Sequence, residues 1–185
     1  MASSLSELRS DPTRASLDNV LEWLRDKFGD TGHPLLHVQD EKTNGTDGGT
    51  FTLGDWRDRT LNSTAETNEI TGATAGATSI SLPAGIYFAE WSAPGFFVDS
   101  HKSRLQDTTN GTTLLFGSAE FSDNTAGGHS SNRSVGCGRF TLSGTATLEV
   151  QHRSSATQAT NGFGAPASFG QIEVYTILKV WRLSL

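Results

Sequence analysis

A mainly β fold, an antiparallel sandwich of Greek-key or jelly-roll type preceded by a short N-terminal helix, is the class this sequence predicts, and three observations predict it. Glycine is frequent, at 20 of 185 residues, and charged residues make up only 18%. Ser, Thr and Asn are plentiful, which suits many short strands joined by tight turns and not a helical protein or a disordered tail. Short apolar-alternating runs recur along the chain, separated by Gly, Asn, Asp and Pro. The last run, residues 171–183, is rich in β-branched and aromatic residues and contains neither Gly nor Pro, so it reads as a long strand.

In chain order, residues 1–15 are polar and end in Asp11-Pro12-Thr13-Arg14, a flexible arm. Ser16 is a good N-cap for a helix closed by Gly29, with Leu17, Val20, Leu21, Leu24 and Phe28 on one stripe. A helix of about three turns is too short to be stable alone, so the stripe packs on its own domain, on a symmetry axis, or on a larger assembly. From Pro34 the apolar period becomes two. Strands are predicted at 35–41, 50–61, 78–82, 86–93, 98–106, 113–121, 133–142 and 146–152, with a polar loop at 66–77. The boundaries that follow are an arm and helix over 1–30 and a β domain over 31–185.

The closing strand has two apolar faces. Strict alternation puts Ile172, Val174, Thr176, Leu178 and Val180 on one side and Tyr175, Ile177, Trp181 and Leu183 on the other. A sandwich strand buries one face, so the second set needs its own cover. Exposing Tyr175, Ile177 and Trp181 would forfeit about 1.5–3 kcal/mol for each large side chain, which association with further copies of the chain recovers. Cover by the chain's own N-terminal segment is the alternative.

Net charge is −6 with no long basic run. Nucleic-acid and anionic-membrane binding both rest on clustered Lys and Arg, and neither is expected. No 18-residue apolar span occurs and residues 1–11 are polar, so neither a signal peptide nor membrane insertion is expected. The single cysteine, Cys137, forbids an intrachain disulfide and reads as a small buried hydrophobe. The triplets beginning at Asn44, Asn62, Asn110 and Asn132 match the glycosylation pattern but read as turn residues without a secretory signal.

No nucleophile–base pair, paired-carboxylate signature or phosphate loop is visible, so no catalytic residue is assigned and no enzyme is expected. His33 and His37 flank Pro34, which precludes a helical pair of ligands, and His101, His129 and His152 are isolated. No metal or other cofactor is assigned, although one His on a threefold axis would supply three ligands. Sugar binding needs aromatic faces beside hydrogen-bonding side chains in loops on a rigid scaffold. Phe96, Phe97 and Asp99 in one loop, and Asp123, Asn124, His129, Asn132 and Arg133 in another, are the candidate glycan-binding residues.

The segment 48–62, Gly-Gly-Thr-Phe-Thr-Leu-Gly-Asp-Trp-Arg-Asp-Arg-Thr-Leu-Asn, resembles a pattern of bacteriophage structural proteins that carry a jelly-roll domain like that of tumour necrosis factor (TNF) and C1q. Later pieces follow the same order: Leu82-Pro83-Ala84-Gly85-Ile86-Tyr87, then His101 with Arg104-Leu105, then Phe140-Thr141-Leu142 with 149–152, then Gly162-Phe163-Gly164-Ala165. The resemblance implies a homotrimer with its terminal strands near a threefold axis. It implies a virion structural protein, a tail-fibre or head-fibre knob for host attachment or a capsid decoration. The arm and helix would join other virion proteins, and the outer loops would meet a host-surface glycan. A capsid-decorating protein without a receptor is the alternative, and a polysaccharide-degrading enzyme a more distant one.

Overall fold

The computed structural model describes residues 33–63, 67–125 and 130–184. The predicted arm and helix, with Leu17, Val20, Leu21, Leu24 and Phe28, the domain boundary near residue 30 and His129 lie outside the described residues. Within them are eleven strands and no helix: β1 Leu35–Lys42, β2 Arg57–Asp58, β3 Thr67–Asn68, β4 Thr74–Ala75, β5 Ile80–Leu82, β6 Gly85–Phe96, β7 Asp99–Asp107, β8 Thr112–Ser122, β9 Ser131–Leu142, β10 Ala146–Ser154 and β11 Glu173–Ser184.

All pairings are antiparallel. One sheet runs β3-β1-β11-β6-β9 and the other β4-β5-β10-β7-β8, with β2 also paired to β10. Strands distant in sequence are therefore neighbours in space, as in a jelly roll. Alternation decides which side chains enter the core. On β6, Tyr87, Ala89, Trp91 and Ala93 are buried while Phe88, Glu90 and Ser92 point away. They meet Leu36, Val38, Leu178 and Val180 of the same sheet and Ile80, Leu82, Leu105, Leu148 and Val150 of the other. Pro94 falls two residues past the last β6 pairing with β11, at Ser92, where its missing N–H costs no ladder bond to that neighbour.

A chain of side-chain hydrogen bonds closes the seam between the sheets. The Trp91 indole N–H donates to Ser103 Oγ at 2.8 Å, Ser103 and Ser134 hydroxyls meet at 2.7 Å, and Ser134 Oγ donates to Ser118 O at 2.7 Å. Because the Ser134 proton is committed to Ser118, Ser103 is the donor to Ser134. Gly136 completes the seam, since a Cβ there would lie 2.1 Å from Trp91 Cζ2. Gly136→Ala is expected to lower stability by about 1–3 kcal/mol through overpacking; a urea midpoint unchanged from wild type would refute the close packing.

Three expectations change. Residues 50–61 form no continuous strand: only Arg57–Asp58 pairs with β10, and Phe51 makes a single bridge to Gln158. The segment instead plugs one end of the sandwich with Phe51, Arg59 and Leu61, all fully buried. The 66–77 loop contains β3 and β4, two-residue edge strands too short to show a period. Cys137 is exposed, not buried, because its register opposite Glu90 puts it on the outer face of its sheet.

Candidate functional site

The outer face of the five-stranded sheet is assembled by register. Leu35, Trp181, Phe88 and Arg139 form one cross-strand row, His37, Lys179, Glu90 and Cys137 the next, and Gln39, Ile177, Ser92 and Val135 a third. Phe88 and Trp181 pack with ring centroids 6.1 Å apart. Lys179 and Glu90 stand directly opposite, a favourable charge pairing between two rows that carry the apolar side chains Phe88, Trp181, Ile177 and Val135. A concavity of about 490 Å³ opens among Phe88, Ile177, Val135, Cys137 and Phe116, the last supplied by β8. Val135 is 52% and Phe116 60% exposed, so this part of the face is apolar and wet.

Ile177 and Trp181 of the predicted interface set lie on this face, and Leu183 lies where the β6–β11 register shifts, between Arg182 and Ser184. Tyr175 does not. The β1–β11 register moves from Gln39↔Ile177 to Glu41↔Val174, so β11 spends three steps where β1 spends two. That extra residue is a bulge, and it changes which parity faces inward. Glu173, Tyr175 and Thr176 are all buried. Tyr175 Oη donates to Thr46 O at 2.7 Å, and its ring fills the space that a Cβ on Gly164 would need. Burial first, then Glu173, Asp47 and Asp40, push its phenol up to about 12. Of the other set, Thr176, Leu178 and Val180 enter the core, Val174 is half-buried, and Ile172 precedes the strand and is 59% exposed.

The candidate glycan residues divide. Phe96 and Phe97 are half-buried with ring centroids 6.2 Å apart, and Phe97 and Asp99 both take φ of 58° at the β6–β7 turn. Asp123 and Asn124 begin the β8–β9 connection, where the Asp123 carboxylate accepts from the Thr125 amide at 2.8 Å. Asn132 is engaged by the protein: its Oδ1 lies 2.6 Å from His101 Nε2 and its Nδ2 donates to Phe121 O at 2.8 Å. Arg133 donates from Nε to Ser92 Oγ at 3.2 Å and from Nη2 to Tyr175 O. It therefore braces β9 to β6 and β11.

Beneath this end lies a buried polar network built on Arg59 and on the His101–His152 pair. Arg59 donates to Thr176 Oγ1 at 2.7 Å, Pro94 O at 3.2 Å and Phe163 O at 2.7 Å, with the Phe163 ring 4.0 Å away. His101 Nδ1 lies 2.9 Å from His152 Nε2. Since Asn132 offers its oxygen to His101 Nε2, that nitrogen carries the proton, and His152 Nε2–H donates onward to His101 Nδ1. His152 Nδ1 is left buried with no hydrogen-bond partner among the described residues.

Burial, then Arg59 and His101, hold His152 well below its ordinary value. Burial also lowers His101, partly offset by Asn132 and Glu120. Unfolded histidines bind protons near pH 6.5 while these folded ones bind theirs only at lower pH, so stability is present above that pH and is lost as pH falls below it. For the fully buried His152 the loss approaches about 1.4 kcal/mol per pH unit. Denaturation midpoints at pH 7.5, 6.0 and 5.0 should fall in that order, and His152→Phe should flatten the trend; a flat wild-type profile would contradict the neutral buried histidine pair.

Among the described residues no three of His, Cys, Asp and Glu converge as metal ligands. No helix among them is long and apolar enough to cross a membrane.

The sequence matches no protein-family model and no curated protein. Solved structures do match. Eiger TNF from S. frugiperda aligns over 82% of this chain and 93% of its own, with TM-score 0.53 and 12% identity. The globular domain of zebrafish complement 1qA protein aligns over 82% and 97%, with TM-score 0.44 and 13% identity. Vertex protein P5 of PRD1 aligns over 82% and 97%, with TM-score 0.45 and 12% identity. The two antiparallel sheets form a TNF/C1q-like jelly roll.

Proposed function

We propose that the protein is a non-enzymatic virion structural protein, a homotrimeric knob of a bacteriophage fibre or head spike that presents loops to a host-surface glycan. The observation that carries the trimer is the outer face of the five-stranded sheet, where Phe88, Ile177 and Val135 line an open concavity and Trp181 packs beside Phe88. An apolar face of this kind on one protomer is stabilised by burial against further copies. The ordered motifs from Gly48 to Ala165 support the virion assignment. Residues 1–30 would anchor the knob to other virion proteins. Three copies of each outer loop then multiply a weak single-site affinity.

Light scattering on the full chain tests the core of this reading. A mass three times the 19.8 kDa of one chain is expected; a monomer at micromolar concentration would overturn it. A trimer that bound only capsid, and no cell surface, would instead mark a decoration protein.

A further inference from the structure

The other sheet carries an unexplained concentration of positive charge on its outer face. β10 and β7 are paired so that Arg153 stands directly opposite Lys102, with Arg104 opposite Gln151 two residues along. Like charges directly opposed across a sheet destabilise it. The ion pairs among the described residues lie elsewhere, at Lys42–Asp40 and Arg57–Asp55. Arg104 is accounted for: Nε and Nη2 donate to Gln151 Oε1 at 2.9 and 2.6 Å, Nη1 donates to Thr113 Oγ1, and the guanidinium lies 4.2 Å over Trp56. Gln151 in turn donates to Glu149. Neither Lys102 nor Arg153 makes an ion pair among the described residues; the Lys102 ammonium stands 4.8 Å over the Phe116 ring. In a chain of net charge −6 composition does not impose such a pair.

Beside these two cations lies a shallow cleft of about 870 Å³, bounded by Leu53, Trp56, Phe121 and Glu120. Leu53 is 51% and Phe121 59% exposed, so apolar surface and two cations share one open concavity. Its volume falls within the range of about 300–1,000 Å³ usual for small-ligand sites. A sugar ring has an apolar face to set against an aromatic side chain, and hydroxyls for Glu120 to accept from. We infer that this cleft binds an acidic saccharide, its carboxylate or sulfate between Lys102 and Arg153 and a ring face against Phe121. A nucleic acid fits less well, since two cations beside the Glu120 carboxylate cannot neutralise a run of phosphates. The inference rests on the glycan-attachment reading above, and it moves the site from the β6–β7 and β8–β9 loops to the sheet face.

The test uses the full chain against polygalacturonate, dextran sulfate, neutral dextran and a single-stranded DNA 20-mer, with the mass of each sample measured alongside. Binding to one or both acidic polymers, weakening with salt and absent for dextran, is expected. The polymer that binds identifies the anionic group. Lys102→Ala with Arg153→Ala should lower affinity at least tenfold while leaving the melting temperature equal or higher, because the opposed charges are gone. Phe121→Ser should weaken binding with no change in salt dependence. Dextran bound as tightly as the acidic polymers, DNA bound more tightly, or full affinity in the double variant would each overturn the inference. A trimer that ignores both acidic polymers overturns it and leaves the homotrimer standing. A monomer that binds them, and loses them in the double variant, supports it and overturns the homotrimer.

Discussion

Arg59→Met should cost the fold about 3–5 kcal/mol, the scale of breaking a buried charged network by removing one partner. Arg59 has no exposed surface, and burial, the dominant cause, pulls its guanidinium down to about 9, still charged at neutral pH. Its donors reach β11 through Thr176, β6 through the Pro94 carbonyl, and the loop before β11 through the Phe163 carbonyl. Methionine fills much of the volume but leaves those three acceptors without a donor, at about 1–3 kcal/mol for each buried group left unmet. It also removes the favourable charge seen by Asp40, whose carboxyl burial already raises. Relief of the guanidinium's own desolvation offsets part of the loss, which is why the expected total is below the sum. Urea denaturation of wild type, Arg59→Met and Arg59→Lys measures it. Lysine should recover only part, because one ammonium cannot reproduce a planar fork aimed in three directions. A methionine variant as stable as wild type would show that this network does not hold the end of the sandwich together.

Ile177→Glu combined with Trp181→Glu should convert the proposed homotrimer to a folded monomer. Both side chains are half-buried on the outer sheet face and make no part of the inner core, so the sandwich tolerates the change. In a symmetric assembly each substitution is repeated in every copy, and like charges brought together across an interface cost several kcal/mol. The control is Tyr175→Glu. Tyr175 faces its own protomer, hydrogen-bonds Thr46 and packs on Gly164, so this variant should unfold or lose most of its stability instead of dissociating cleanly. Light scattering with circular dichroism separates the two results. A double variant that stays trimeric would move the interface off this face. A folded, monomeric Tyr175→Glu would mean that the bulge in β11 is misplaced.

The contrast between Tyr175 and Ile177 shows where reading the chain directly reaches its limit. Strict alternation groups them, and nothing in the local residues announces the bulge. It arises because β1 and β11 must stay paired while Glu173 accepts from the amides of Gly45, Ala167 and Ser168, residues on two separate loops. The same limit applies to the interrupted 50–61 segment. Its alternation suggests a strand, but Phe51, Arg59 and Leu61 are more valuable to the fold as a plug over the open core. Cys137 reads as a buried residue from composition and is exposed because β9 pairs with β6 in the other parity.

The class of the fold, the approximate extent of the long strands and a closing strand apolar on both faces are all legible in the order of the residues. These follow from local rules: a side chain alternates every residue, a turn needs Gly, Asn or Pro, and apolar surface must be covered. Tertiary structure alone decided which side chains meet. It set Lys102 opposite Arg153, His101 against His152, and Arg59 beneath three separate segments. Each of those pairings joins residues dozens of positions apart, and their meeting depends on register between strands. Register is a collective property of the whole sheet, and a shift of one residue turns every side chain to the opposite face.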